Sequence, residues 1–312
     1  MDELDRVGAE YLRRMTPADL RALLHADGVS IAEEQRRRSA IERQPALILD
    51  ILDRPVTSSE LLNLATAAAP QRERFTFVSP FLVFAAALHR TAADLAGTSY
   101  VPDRSGSRLR VPVFDAATLS AYLAPPRRRL FLADLLTSFA RVTGGVAVVR
   151  TPRGPRRRRW SELDPVRLAV LLDAVPEHER ASVWRRLGDL ALFLTGVFPD
   201  HAARLGPGRL DAERLARLTR VTERPDIDTG PDELYEWFGS RWYGLANEAA
   251  AHTATPSMTR EPAVTAGSPA DSAAHFHEAR RVLNAVADRY LFPVTADWFG
   301  ARGSRGFGTA HS

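Results

Sequence analysis

Apolar residues along this chain recur mostly at spacings of three and four, the period of an amphipathic helix, so the pattern predicts one helix after another. Thr16-Pro17 supplies an N-cap and a proline at the first helical position, and Leu20, Leu23 and Leu24 follow as an apolar stripe. Ser30 opens a helix over "IAEEQRRRSAIER", which Pro45 ends before "ALILDILD". Thr57 or Ser58 is expected to cap "SELLNLATAA". Ser79-Pro80 opens "FLVFAAALHRTAADLAG", closed by Gly97. Asp115 caps "DAATLSAYL", and Pro126 enters "PRRRLFLADLLTSFARV", stopped at Gly144-Gly145. Asp164-Pro165 starts a helix with Leu168, Leu171, Leu172 and Val175 on one face. "PEHERASVWRRLGDLALFLTGVF" is apolar nearly all round from Leu187, the mark of a central buried helix. Asp211 is expected to cap "AERLARLTRV", and Pro231 opens "DELYEWFGSRWYGLANEAA".

Two stretches break the helical period. "RLRVPVF" (108–114) is short, β-branched and bounded by turn residues, so it reads as a strand. "VAVVR", the turn "TPRGP" and "RRRRWS" read as a β-hairpin. The fold class is therefore mainly α: a multi-helix globular protein with one short strand and a basic hairpin near the middle. The expected organisation is an N-terminal helical region (1–74), a helical segment with strand and hairpin (75–165) and a helical core (166–250). A flexible linker (251–272), C-terminal helices (273–300) and a disordered tail (301–312) complete it. No internal repeat of 20–50 residues is visible.

The most apolar runs, Phe75–Leu88 and Leu187–Phe198, fall short of the roughly 18–20 residues that a membrane span needs, and the start "MDELDRVGAE" lacks secretory character. A cytoplasmic protein with no membrane partner is expected. Cysteine is absent, which removes disulfides, thiolate nucleophiles and Cys-based metal sites. Lysine is absent too, so all 42 basic residues are Arg, a pattern of high-GC bacterial genomes. Arg here stands in for every solvent-facing Lys, which lowers what an Arg run by itself conveys. The distribution conveys more. Residues 101–160 hold 13 Arg against Asp103, Asp115 and Asp134, a net of +10 in a chain whose total is +4. Codon usage raises Arg everywhere and does not segregate it.

The order helix 80–97, strand 108–114, helix 115–123, helix 126–142, strand, basic tip and strand is similar to a winged-helix domain. The resemblance covers about 80–161, and it rests on element order and charge, without a diagnostic residue motif. It implies that Arg127, Arg128, Thr137, Ser138 and Arg141 lie on or near an exposed recognition face. Arg150, Arg153, Arg156, Arg157, Arg158 and Arg159 would then form a wing that neutralises phosphates. Against it stand the apolar Phe131, Leu132, Leu135, Leu136 and Phe139, the acid Asp134, and the alternative of a solvated hairpin. A second helix-turn-helix echo, "ALILDILDRPVTSSELLNLA" (46–65), has no basic third helix after it and reads as a packing hairpin.

Asp189 is the misplaced residue, a carboxylate inside "RRLGDLALFLTGVF". Buried, it must be hydrogen-bonded, ion-paired or protonated, and a raised pKa would suit acid–base work. An internal ion pair with one of the many Arg is the plainer reading. The histidines do not assemble: His275 and His277, two apart on a helix, point away from each other, and His89 reads as a packed residue on an apolar helix. Gly-x-Gly-x-x-Gly, P-loop and Gly-x-Ser-x-Gly signatures are missing, so no cofactor and no metal is expected. Trp237, Phe238, Trp242 and Tyr243 are spaced as core, or as a partner patch where exposed. These residues lean away from an enzyme. The leading expectation is a binding or regulatory protein with nucleic acid as ligand of the 101–160 face. The alternatives are a helical scaffold for an acidic protein partner, and a helical enzyme built around Asp189.

Overall fold

The computed structural model describes residues 2–66, 78–105, 109–140, 143–151, 154–223, 230–253 and 267–291. Among them the chain is mainly α-helical, with fifteen α-helices and two small antiparallel two-stranded sheets. No described helix is long and apolar enough to cross a membrane. Contacts divide the chain into two units. One comprises residues 1–101, 113–141 and 285–312, the other residues 102–112 and 142–284.

The first unit holds α1 (Glu3–Arg14), α2 (Pro17–Ala26), α3 (Ile31–Arg43), α4 (Leu47–Leu52), α5 (Pro55–Thr66) and α6 (Pro80–Ala96), then α7 (Ala116–Leu123) and α8 (Pro126–Phe139). Thr16 and Asp19 form a reciprocal capping box: Asp19 N–H donates to Thr16 Oγ1 at 3.1 Å, and Thr16 N–H to the Asp19 carboxylate at 2.8 Å. Asp19 also accepts from Ser79 N–H at 2.6 Å, so one buried acid fixes the starts of both α2 and α6. The core is α6, buried from Phe81 to His89, against the Leu132, Leu135, Leu136 and Phe139 side of α8. At Gly8 a Cβ would stand 2.2 Å from Pro45 O, so α1 meets backbone there and needs glycine. One expectation fails locally. α5 begins at Pro55, whose fixed φ suits the first turn, rather than after a Thr57 or Ser58 cap, and Thr57 Oγ1 donates to Asp27 instead, at 3.0 Å.

The second unit is built from β1 (Val101–Ser105), β2 (Leu109–Val113), β3 (Gly144–Thr151), β4 (Gly154–Ser161) and seven helices. These are α9 (Pro165–Ala169), α10 (Arg180–Val197), α11 (Pro199–Leu205), α12 (Arg209–Thr219), α13 (Pro231–Thr253), α14 (Pro269–Ala274) and α15 (Phe276–Val286). The α10–α13 pair is its axis. A Cβ on Gly188 would lie 2.9 Å from the Tyr243 ring, and one on Gly239 2.3 Å from the Phe276 ring, so close helix approach depends on both glycines. Phe238, Trp242 and Tyr243 are fully buried, which makes the aromatic cluster core. α12 starts at Arg209 rather than after Asp211, which instead sits in its first turn, where a carboxylate favours the helix dipole.

β1 has no counterpart in the hydrophobic pattern, because Val-Pro-Asp-Arg-Ser shows no alternation, and its proline suits only an edge. It captures β2 in a sheet of two strands, while β3 and β4 form another. The three-stranded sheet of a winged helix is therefore not formed among the described residues. α8 is likewise buried on nearly all sides, from Arg129 to Ala133 and at Leu135, Leu136 and Phe139.

Candidate functional site

The β3–β4 ribbon runs from Gly144↔Ser161 to Thr151↔Gly154 without a break in register. Gly154, at φ 99°, supplies the left-handed residue that begins the returning strand. The root is clamped by Glu162. Its carboxylate accepts from Thr143 N–H at 2.8 Å and lies 3.4 Å from Arg186, and its own N–H donates to Thr143 O at 3.1 Å. Trp160 lies over Gly145 from the opposite strand, its indole nitrogen 3.1 Å from where a Cβ there would stand. Beyond that root the ribbon is exposed.

Arg156, Arg157, Arg158 and Arg159 occupy consecutive positions of β4 and are all exposed. Among the described residues none of the four side chains has an ion pair or hydrogen bond, and the nearest acid in sequence, Glu162, is engaged at the root. Side chains alternate along a strand, so two guanidiniums leave each face. The result is four uncompensated charges on a support too thin to shield them. Arg150 sits opposite Pro155, with its side chain outside the described atoms, and Arg141 and Arg153 lie outside the described residues.

The other expected contacts are spent inside the first unit. Arg127 pairs with Glu3 at 3.2 Å. Arg128 donates to Tyr122 O at 3.1 Å and stacks over the Tyr122 ring at 4.7 Å. The Thr137 and Ser138 hydroxyls bond back to Ala133 O and Leu135 O of their own helix. Asp134 holds Arg14 at 2.5 Å.

Asp189 is partly buried. Its carboxylate accepts from Tyr243 O–H at 2.7 Å, and burial pushes its pKa up against the opposing pull of Arg185, the Tyr243 hydrogen bond and Arg186. That arrangement anchors α13 to α10.

Two clusters had no signal in the sequence. In the first unit, His89 is fully buried and bridges Asp53, 2.6 Å from Nδ1, and Tyr11, 3.1 Å from Nε2. A carboxylate only accepts, so Nδ1 carries the proton and Nε2 accepts from Tyr11 O–H. Burial lowers the His89 pKa. Arg129 joins through Asp53 Oδ2 at 3.3 Å.

In the second unit, a cleft of about 640 Å³ is lined by Glu233, Glu236, Trp237, Ser240, His277 and Arg280 among others. Glu236 accepts from His277 Nδ1 at 2.9 Å and is ion-paired with Arg280 at 2.8 Å; these partners lower its pKa despite burial, and Glu236 raises that of His277. His275 turns instead to Asp271, 3.2 Å away. Among the described residues no group of three or more His, Asp or Glu is placed to hold a metal ion. The sequence separations here, 36 and 78 residues in one cluster and 41 in the other, are what hid both clusters.

Comparison with family models, with curated proteins and with solved structures gives no match.

Proposed function

We propose that this chain is a nucleic-acid-binding protein that grips the phosphate backbone with the β3–β4 ribbon. The carrying observation is the set of four consecutive arginines, Arg156–Arg159, exposed on both faces of a clamped ribbon with no acid among the described residues to neutralise them. A folded protein gains nothing from like charges held this close, and a polyanion relieves their repulsion while releasing its own counterions. The aromatic cluster of α13 is core apart from Trp237, which lends less support to the scaffold alternative.

The test is fluorescence anisotropy of labelled duplex DNA against the full chain over a range of salt, beside a variant with Arg156, Arg157, Arg158 and Arg159 all replaced by Ser. The expected result is a steep loss of affinity with salt, with the slope of log K against log salt shallower by roughly 3–4 in the variant. Absence of binding at low salt, or an identical slope in the variant, overturns the reading.

A further inference from the structure

The two faces of the ribbon are chemically different, and the difference narrows the ligand. In an antiparallel pair, residues directly opposite share a face. The register sets Val146 opposite Arg159 and Val148 opposite Arg157, so these four side chains line one face. The other face carries Arg156, opposite Val149, and Arg158, opposite the smaller Ala147, with Trp160 covering Gly145 at the root, so the exposed valine pair separated by one residue is on the first face. The valines are 48% and 57% exposed, large apolar side chains held in water between guanidiniums.

We infer that the Val146–Val148–Arg157–Arg159 face is the base-reading face of a ribbon that docks in the major groove of B-form DNA. The inference rests on the nucleic-acid reading above and deepens it. The major groove, about 12 Å wide, admits a two-stranded ribbon. On its floor are guanine O6 and N7, which an Arg fork contacts bidentately, and thymine C5-methyls, which take apolar contact. Two Arg and two Val alternating on one face match that surface in kind. Arg156 and Arg158, on the opposite face, reach around the strand edges to the flanking phosphates and bear charge without reading sequence. A-form RNA offers neither partner, because its major groove is deep and narrow. A second copy of the chain is disfavoured because Arg157 and Arg159 of this face would meet their own copies.

The experiment uses the full chain and one mixed-sequence duplex of about 24 base pairs in three forms: unmodified, with uracil for thymine, and with 7-deazaguanine for guanine. Three double variants are compared with the parent: Val146→Ser with Val148→Ser, Arg157→Ser with Arg159→Ser, and Arg156→Ser with Arg158→Ser. All six positions are solvent-facing, and thermal melts verify that each variant keeps the parent fold.

The parent is expected to lose roughly five- to tenfold in affinity on each modified duplex. The valine variant becomes indifferent to uracil, and the Arg157/Arg159 variant indifferent to 7-deazaguanine. The Arg156/Arg158 variant loses overall affinity but stays sensitive to both modifications. Single-stranded DNA and duplex RNA bind at least tenfold more weakly than duplex DNA. If binding is salt-dependent but blind to both modifications, or equal on single strands, the groove inference falls while the phosphate grip stands. If no nucleic acid binds, both fall together. If the valine variant abolishes a concentration-dependent self-association seen by sedimentation, the face belongs to a second copy and the inference is overturned.

Discussion

Pro126-Arg127-Arg128-Arg129 and Pro155-Arg156-Arg157-Arg158 are the same four residues in two different structures. The first opens α8, where successive side chains leave the axis about 100° apart and each meets a different neighbour. Arg127 meets Glu3, Arg128 the Tyr122 carbonyl and ring, and Arg129, 7% exposed, the Leu123 carbonyl and Asp53. The second opens the exposed length of β4, where the same side chains alternate across a ribbon with no layer covering either face. One run is structural and the other uncompensated. An Arg-rich segment thus keeps its charge free for a ligand only where the backbone withholds partners from it.

The comparison is sharpest where its two halves are broken separately. Asp53→Ala has the largest expected effect. It strips the carboxylate from buried Arg129, which keeps the Leu123 carbonyl, and from His89, which keeps the Tyr11 hydroxyl, and should cost about 3 kcal/mol in chemical denaturation. Tyr243→Phe, which leaves the Asp189 carboxylate without its hydrogen-bond donor, should cost about 1–2 kcal/mol by the same measurement. Arg128→Ala, which removes one bond to a carbonyl and one stacked cation, should cost about 1 kcal/mol. Replacing all of Arg156–Arg159 by Ser should leave thermal stability almost unchanged, each substitution within about 0.5 kcal/mol, while weakening polyanion binding and flattening its salt dependence. A large loss of stability in that last variant would erase the contrast.

The buried His89 and the exposed His277 should answer pH with opposite signs. His89 has a lowered pKa, so near and below pH 6.5 the unfolded chain takes up a proton that folded His89 refuses, and stability falls as the solution is acidified. His277 has a raised pKa and Glu236 a lowered one. The contribution of His277 is therefore full below pH 6.5 and lost as pH rises through its folded value. That of Glu236 is full above pH 4.5 and lost as pH falls through its own. Their pair is strongest between about pH 4.5 and 6.5. Denaturation of the parent against His277→Gln across pH 4–9 should show the difference greatest inside that window and shrinking above it.

Much of this architecture is legible locally. The Thr16–Asp19 capping box, the proline at the head of α6, α8 and α13, and the Gly154 turn of the ribbon are each set by residues within a few positions of one another, and they appear where the pattern places them. What misled were residues with two local uses. Thr57 and Asp211 are good caps, yet Pro55 and Gly208 start the helices earlier and release both for other work. β1 was hidden because a strand without alternation is specified by its partner rather than by its own sequence.

The chain by itself determined its mainly helical class, the basic ribbon, the segregation of charge and the absence of cysteine chemistry, because period, turn residues and composition act over a few positions. Which arginines are paired was decided only by tertiary structure. Glu3 reaches Arg127 across 124 positions and Asp53 reaches Arg129 across 76, while among the described residues no acid comes to the side chains of Arg156–Arg159. Compensation of charge is a property of what the fold brings within a few ångströms, and the one-dimensional order of residues does not carry that distance.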